Sequence, residues 1–323
     1  MAKPKVVITR KLPAAAEERA KTLFDVELNA SDVPLDAAGL ARAMREADGL
    51  LPCVVDKITA ELLATPGRKA KIVANYGVGF NNIDVVAAKA NGVVVTNTPD
   101  VLTEDTADLA MTLMLATARR AGEGERELRS GRWTGWRPTH MLATQVNGKT
   151  LGLIGIGRIG RAVARRAHLG FGMKIIYHDP YPLSDADTQL LGAERKDSIE
   201  AVLRESDFVS LHCPATPETR HLMNAPRFAQ MRKGSILINT ARGDVVNEND
   251  LIAALQAGTI GGAGLDVFEK EPSVPAALSS MENVVLLPHL GSATTETRVA
   301  MGMRALDNLV AFFGGTAPRD RVA

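Results

Sequence analysis

The chain has 323 residues, 46% hydrophobic and 23% charged, with 38 Lys and Arg against 37 Asp and Glu. That length allows about two domains of roughly 150 residues, each with material for its own core, and it excludes a disordered chain, which needs low hydrophobicity and high net charge. A net charge of +1 gives no basic field to attract nucleic acid or an anionic membrane.

Short β-branched runs alternate with helical stretches. Lys5-Val6-Val7-Ile8-Thr9 reads as the first strand, and Cys53 follows in a chain whose only other cysteine is Cys213. Two cysteines without CxxC spacing point away from a disulfide framework or a zinc site and toward a reducing cytoplasm. Lys71 to Asn75 and Gly92 to Thr96 read as further strands, with an Ala-rich stretch, 85–91, between them. After Asn97-Thr98-Pro99-Asp100 a long helical pattern begins, capped by Thr103, with Leu109, Leu113, Ala116 and Arg120 at 3–4 spacing. A polar stretch from about Gly122 runs into Gly131-Arg132-Trp133-Thr134-Gly135-Trp136, whose two tryptophans read as lying in a loop. A new strand–helix series starts near 150 with Leu151 to Ile154. Continuous apolar runs suit strands buried on both faces of a parallel sheet, so the fold class expected is doubly wound α/β. No run approaches the roughly 18 apolar residues of a membrane span, and the N-terminus lacks the apolar region of a secretory signal.

Gly155-Ile156-Gly157-Arg158-Ile159-Gly160 matches G-x-G-x-x-G between a strand and a helix, 158–169. The first glycine permits the tight turn, the second lets backbone approach a pyrophosphate, and the third lets helix and strand pack closely. The helix N-terminus then faces the phosphates. The next strand ends at Asp179, 19 residues past Gly160, where a ribose-binding carboxylate belongs. A carboxylate there repels a 2′-phosphate, and Pro180-Tyr181 supplies no cation. NAD(H) is therefore favoured, with NADP(H) as the alternative through Arg158.

Strands at 206–211, 234–239, 262–265 and 283–287 follow, ending at His212-Cys213-Pro214, Thr240-Ala241-Arg242-Gly243, Asp266 and Pro288-His289. Open α/β sheets bind ligands at the C-terminal edge of their strands, which makes Arg242, Glu271 and His289 candidates for chemistry. The remaining histidines, His140, His168, His178 and His221, have no metal-ligand spacing and read as structural or surface residues, with no metal site expected.

These blocks, together with Leu265-Asp266-Val267-Phe268-Glu269-Lys270-Glu271-Pro272 and Pro288-His289-Leu290-Gly291-Ser292, resemble the D-isomer-specific 2-hydroxyacid dehydrogenases over nearly the whole chain. The resemblance places the family's catalytic Arg, Glu and His on Arg242, Glu271 and His289, spaced 29 and 18 residues apart. It implies a Rossmann cofactor domain over 101–290 inserted in a flavodoxin-like substrate domain of 1–100 plus 291–323, with a cleft that closes about hinges near 100 and 290. Arginine suits a substrate carboxylate and polarises the ketone. His289 supplies the proton, with His212 the first alternative, and Glu271 tunes and orients His289. In Gly77-Val78-Gly79-Phe80 the amides of Val78 and Gly79 would hold the carboxylate. Cofactor contacts are implied at Thr106, the loop Gly155, Gly157, Arg158, Ile159 and Gly160, and at Asp179, His212, Pro214, Thr219, Thr240, Ala241 and Gly291. Asp266 either approaches the nicotinamide or only ends its strand.

Thr98 to Thr103 and Trp133 to Pro138 look like the glyoxylate and hydroxypyruvate reductase branch, with Leu102 against a short substrate. Phosphoglycerate and D-lactate types are alternatives. The short tail after the last helical pattern, 294–313, points away from the former's regulatory extension, and no long N-terminal segment suggests the formate branch. A phosphite-oxidising relative shares the same Arg, Glu and His. A non-enzymatic NAD-sensing module would keep the same motifs. The resemblance also implies a homodimer reached by the Trp133–Trp136 segment, the alternative being that both rings cover their own core.

Overall fold

The computed structural model describes residues 2–323. They form two α/β units, one taking the chain up to Leu102 together with Ser292–Ala323, the other Thr103–Gly291. Both sheets are parallel throughout, as the unbroken apolar runs predict.

The first unit contains β1 (Lys5–Ile8), β2 (Asp25–Leu28), β3 (Gly49–Leu51), β4 (Ile72–Ala74) and β5 (Val94–Thr96), ordered β2-β1-β3-β4-β5. This is the flavodoxin-like arrangement. Val7, Leu50, Val73 and Val95 face one core with Met44, Ile58 and Leu63. Each such side chain, fully buried, contributes about 1.5–3 kcal/mol. Helix Thr295–Phe313 packs against helix Ala14–Leu23 and β4. The last residues run antiparallel along β5, where Arg321 bridges Thr96 and Val322 N donates to Val95 O at 2.8 Å. They cover an edge that would otherwise present unpaired backbone.

The second unit contains β6 (Thr150–Ile154), β7 (Lys174–His178), β8 (Ala193–Arg195), β9 (Phe208–Leu211), β10 (Ile236–Asn239), β11 (Gly262–Leu265) and β12 (Val284–Leu286). Their order, β12-β11-β10-β9-β6-β7-β8, is the Rossmann order with one strand added beyond the sixth. Helix Thr103–Ala118 lays Ala107, Ala110, Leu113 and Met114 on this sheet. Its Glu104 and Asp108 pair with Arg165 and Arg166 of helix Arg158–Phe171.

Thr103 is the first helical residue and not a cap, because Asp100, at φ 72°, turns the chain before it. The polar stretch begins as a helix, Ala121–Arg129, with no buried residue, and the tryptophan segment after it is irregular. Ion pairs of Arg120 with Glu123 and Arg126 with Glu282 hold the helix. Trp133 and Trp136 do not cover a core of their own chain, being 50% and 81% exposed.

Candidate active site

All the titratable groups singled out for chemistry lie in the second unit, on segments just beyond the C-terminal ends of parallel strands. The turn after β6 is shaped by its glycines. Gly155 sits at φ 90°, and a Cβ there would lie 2.8 Å from Cys213 N. A Cβ on Gly160 would lie 2.6 Å from Gly155 O, so the helix starting at Arg158 approaches closer than any side chain allows. Around Gly157 there is open space, and Gly157 caps that helix without a side chain, leaving its first amides accessible. Asp179 lies beside this turn. Its carboxylate accepts from Ile156 N at 2.8 Å and from Tyr181 N at 2.8 Å.

One cation near Asp179 is invisible in its local sequence. Arg195, at the end of β8, donates through Nη2 to Asp179 O and Pro180 O at 2.9 and 3.2 Å. Strand pairing brings it across, so inspection of Pro180-Tyr181 alone cannot find it.

The turn after β10 carries Arg242. Asn239 clamps it at both ends, accepting from Ala241 N at 3.0 Å and donating to Arg242 O at 2.9 Å. Gly243 presses on the backbone of Phe268 and Glu269, where a Cβ would come within 1.9 Å of Phe268 C. This contact sets the Arg242 turn against the segment that carries Glu271. Burial lowers the Arg242 pKa from its ordinary value, while the charges of Glu271 and Asp244 act the other way. Arg242 Nη1 also donates to Ala241 O at 2.6 Å. Thr240, next to it, has a buried hydroxyl with no partner.

Glu271 and His289 meet directly, with Nδ1 to Oε2 at 2.9 Å. Glu271 Oε1 accepts from Phe268 N at 3.0 Å. Burial opposes ionisation of Glu271, but the His289 hydrogen bond and charge, the Phe268 amide and Arg242 outweigh it. Its pKa lies below the ordinary carboxylate range. His289 is at φ 56°, in the left-handed region that a histidine occupies only when its surroundings over-determine it. Asp266 supplies that constraint. Its backbone O accepts from His289 N at 2.9 Å, and its carboxylate accepts from Leu290 N at 2.6 Å and Gly291 N at 2.8 Å. Thr106 donates to Gly291 O at 3.0 Å from the other side. Asp266 therefore does more than end a strand: its fully buried carboxylate builds the turn that presents His289.

Burial pushes the His212 pKa down to about 4, and Nε2 meets Ser210 Oγ at 2.9 Å, an environment that disfavours the charged ring. Thr219 orders its own loop, donating to Pro214 O at 2.6 Å and accepting from Thr216 N at 2.8 Å. Of the other histidines, His221 pairs with Glu269 and His140 with Glu127, while His168 and His178 bond backbone carbonyls.

Val78, Gly79 and Leu102 belong to the first unit. Val78 and Gly79 follow β4 in a loop whose carbonyls are held by side chains: Asn97 Nδ2 donates to Val78 O at 2.8 Å and Asn75 Nδ2 to Gly79 O at 2.9 Å. Neither asparagine is signalled by any local motif. Leu102 is buried just before the long helix.

A model of the NAD-binding domain of D-isomer specific 2-hydroxyacid dehydrogenases matches residues 111–291. A glyoxylate reductase of Thermococcus litoralis is 46% identical, over 99% of this chain and 97% of its own. The chain belongs to the D-isomer-specific 2-hydroxyacid dehydrogenase family. Among solved members of this family or fold, an NADPH-dependent glyoxylate/hydroxypyruvate reductase of Sinorhizobium meliloti, in complex with NADP and malonate, has a TM-score of 0.89 and 39% identity. It is covered over 97% of its length, and this chain over 100%. A D-mandelate dehydrogenase of Rhodotorula graminis, in its holo form, has a TM-score of 0.88 and 31% identity, with 100% of this chain and 98% of that one covered. Among the described residues no helix is long and apolar enough to cross a membrane.

The residues fit the dinucleotide expected of such a dehydrogenase. The open space over Gly157 leaves room for phosphates at a helix N-terminus. The orphaned Thr240 hydroxyl offers a buried donor at the end of a central strand.

Proposed function

We propose that this dehydrogenase reduces a small 2-oxo acid, glyoxylate or hydroxypyruvate, to the 2-hydroxy acid with NADH. The observation that carries the reading is the Glu271–His289 pair set beside Arg242. Nicotinamide, when bound, supplies the hydride. Arg242 binds the carboxylate and polarises the ketone, its partly desolvated charge acting at higher strength than in water. His289 uses Nδ1 on Glu271 and gives a proton from Nε2 to the ketone oxygen as negative charge builds there. In the reverse direction it takes that proton. Val78 and Gly79 hold the carboxylate, with Leu102 against the substrate's short side. Thr106, the glycine loop with Arg158 and Ile159, and Asp179, His212, Pro214, Thr219, Thr240, Ala241, Asp266 and Gly291 line the dinucleotide. Loss of reduced-cofactor absorbance on mixing enzyme, NADH and glyoxylate tests the reading. No turnover on a panel of small 2-oxo acids would favour an NAD-sensing module instead.

Glu271→Gln keeps the shape and removes the charge. Glu271, whose pKa lies below the ordinary carboxylate range, accepts from His289 Nδ1 at 2.9 Å. With a neutral amide in its place the ring loses its charged anchor, and kcat for reduction is expected to fall by about tenfold or more. An unchanged kcat would remove Glu271 from this role.

Asp179 supports NADH, since its carboxylate repels a 2′-phosphate. Arg195 beside it and the NADP-bound relative support NADPH as the second reading. Comparing kcat/KM with the two cofactors decides. Asp179→Ala is expected to narrow the preference for NADH, and a wild-type enzyme equally efficient with NADPH would reverse the assignment.

The exposed Trp133 and Trp136 support a homodimer, since large aromatic surface of this kind marks interfaces. Light scattering at micromolar concentration is expected to give twice the chain mass, and a monomer would refute the assembly.

A further inference from the structure

The loop that follows β4 has an ordered set of hydrogen bonds on one side and none on the other. The carbonyl of Gly77 accepts from Thr98 N at 3.0 Å, that of Val78 from Asn97 Nδ2 at 2.8 Å, and that of Gly79 from Asn75 Nδ2 at 2.9 Å. Three consecutive peptide planes are thus fixed by their oxygens. In a trans peptide the N–H points opposite to the C=O of the same plane. The N–H groups of Val78, Gly79 and Phe80 are therefore turned away from the three donors, and none of them donates to another described residue. A row of such amides is an anion site.

The two asparagines are themselves anchored. Asn75 is fully buried. Its N donates to Thr96 O at 2.8 Å, and its Oδ1 accepts from Asn82 Nδ2 at 3.2 Å. Asn97 is tied to the far end of the chain. Its N donates to Asp320 O at 3.2 Å, and its O accepts from Asn308 Nδ2 at 3.3 Å. Asp320 is buried and gripped by Arg304, whose Nε and Nη2 donate to its two oxygens at 2.5 and 2.8 Å. The C-terminal tail thus braces Asn97 through its backbone, while the Asn97 side chain braces the loop.

We infer that Asn75 and Asn97 are positioning residues that hold the amides of Val78, Gly79 and Phe80 as a preformed carboxylate cradle, with the Asp320–Arg304–Asn308 cluster locking Asn97. The inference rests on the reading that this loop binds the substrate carboxylate. Binding there is the same in the ground state and the transition state, since the carboxylate does not change during hydride transfer. Loosening the cradle therefore raises KM and spares kcat.

Steady-state kinetics of Asn75→Ala and Asn97→Ala test this, with glyoxylate as substrate and oxalate as dead-end inhibitor. Both the glyoxylate KM and the oxalate inhibition constant are expected to rise about tenfold or more, the scale of a lost hydrogen bond to a charged group. The kcat is expected to stay within about threefold, with the NADH KM unchanged. A glyoxylate KM and oxalate constant like wild type in both variants overturns the inference, as does a parallel loss of kcat and NADH affinity, which a merely structural role produces. If neither variant folds, Asp320→Asn weakens the Arg304 grip at one remove and is expected to raise KM in the same selective way; a wild-type KM there overturns the coupling. Backbone amide resonances of the wild-type enzyme separate the two levels. Oxalate that leaves Val78 and Gly79 unmoved removes the carboxylate reading itself, whereas shifted amides with unchanged variant kinetics remove only the asparagines.

Discussion

His289→Asn is expected to lower kcat for glyoxylate reduction by about 10²–10⁴-fold, the contribution of a positioned proton donor. Asparagine can still hydrogen-bond but cannot deliver a proton to the forming alkoxide. It also tolerates the left-handed backbone at this position, φ 56°, better than most residues. The turn held by Asp266 therefore survives, and the loss reports chemistry and not misfolding. Cofactor affinity, measured by fluorescence titration with NADH, is expected to change little. A variant with near wild-type kcat would move the proton donor elsewhere, with His212, held against Ser210, the first alternative to test.

Arg242→Ala is expected to damage both kcat and KM, with kcat/KM falling by about 10³-fold or more. Charge-assisted hydrogen bonds are worth about 1.5–3 kcal/mol each, and a guanidinium fork can make two to a carboxylate. Arg242→Lys keeps the charge but loses the planar fork, so it is expected to recover only part of the loss. Arg242 also neutralises Glu271, whose lowered pKa depends partly on it, so the alanine variant leaves that carboxylate less well compensated. Full kcat at saturating glyoxylate would show that Arg242 only binds and does not polarise.

Much of this was legible in the sequence because the strongest signals are local. The glycine turn reads as G-x-G-x-x-G because two of its glycines meet backbone close by, Gly155 at Cys213 on the neighbouring strand end and Gly160 at Gly155, while Gly157 faces open space. The buried strands read as unbroken apolar runs. The strands that escaped were β2, β3 and β8. Asp25–Leu28 and Ala193–Arg195 are sheet edges with polar, partly exposed residues, and Gly49–Leu51 is only three residues long. Helix Ala121–Arg129 escaped because it buries nothing and contains Gly122 and Gly124, which lower helix propensity. At the site, the local motifs place Arg242, Glu271 and His289 on their strand ends. Asn239 and Phe268 hold Arg242 and Glu271 locally, but other partners of the candidate residues act across long sequence separations. Asp266 reaches His289 and its neighbours, Arg195 reaches Asp179, and Asn97 reaches both Val78 and Asp320. No periodicity or short motif records those partnerships.

The chain's division has a consequence for the order in which it can become stable on the ribosome. The second unit is one continuous stretch, Thr103–Gly291, and has all its strands once that stretch has emerged. The first unit, although synthesised first, waits for Thr295–Phe313 to cover β4 and for Val322 to pair with Val95. Until then β4 lacks that cover and the β5 edge stands bare, the kind of surface through which nascent chains aggregate. Domains generally mature from the N-terminus onward during synthesis. Here the inserted domain can close its core first, and the domain that begins the chain is finished by its last few residues.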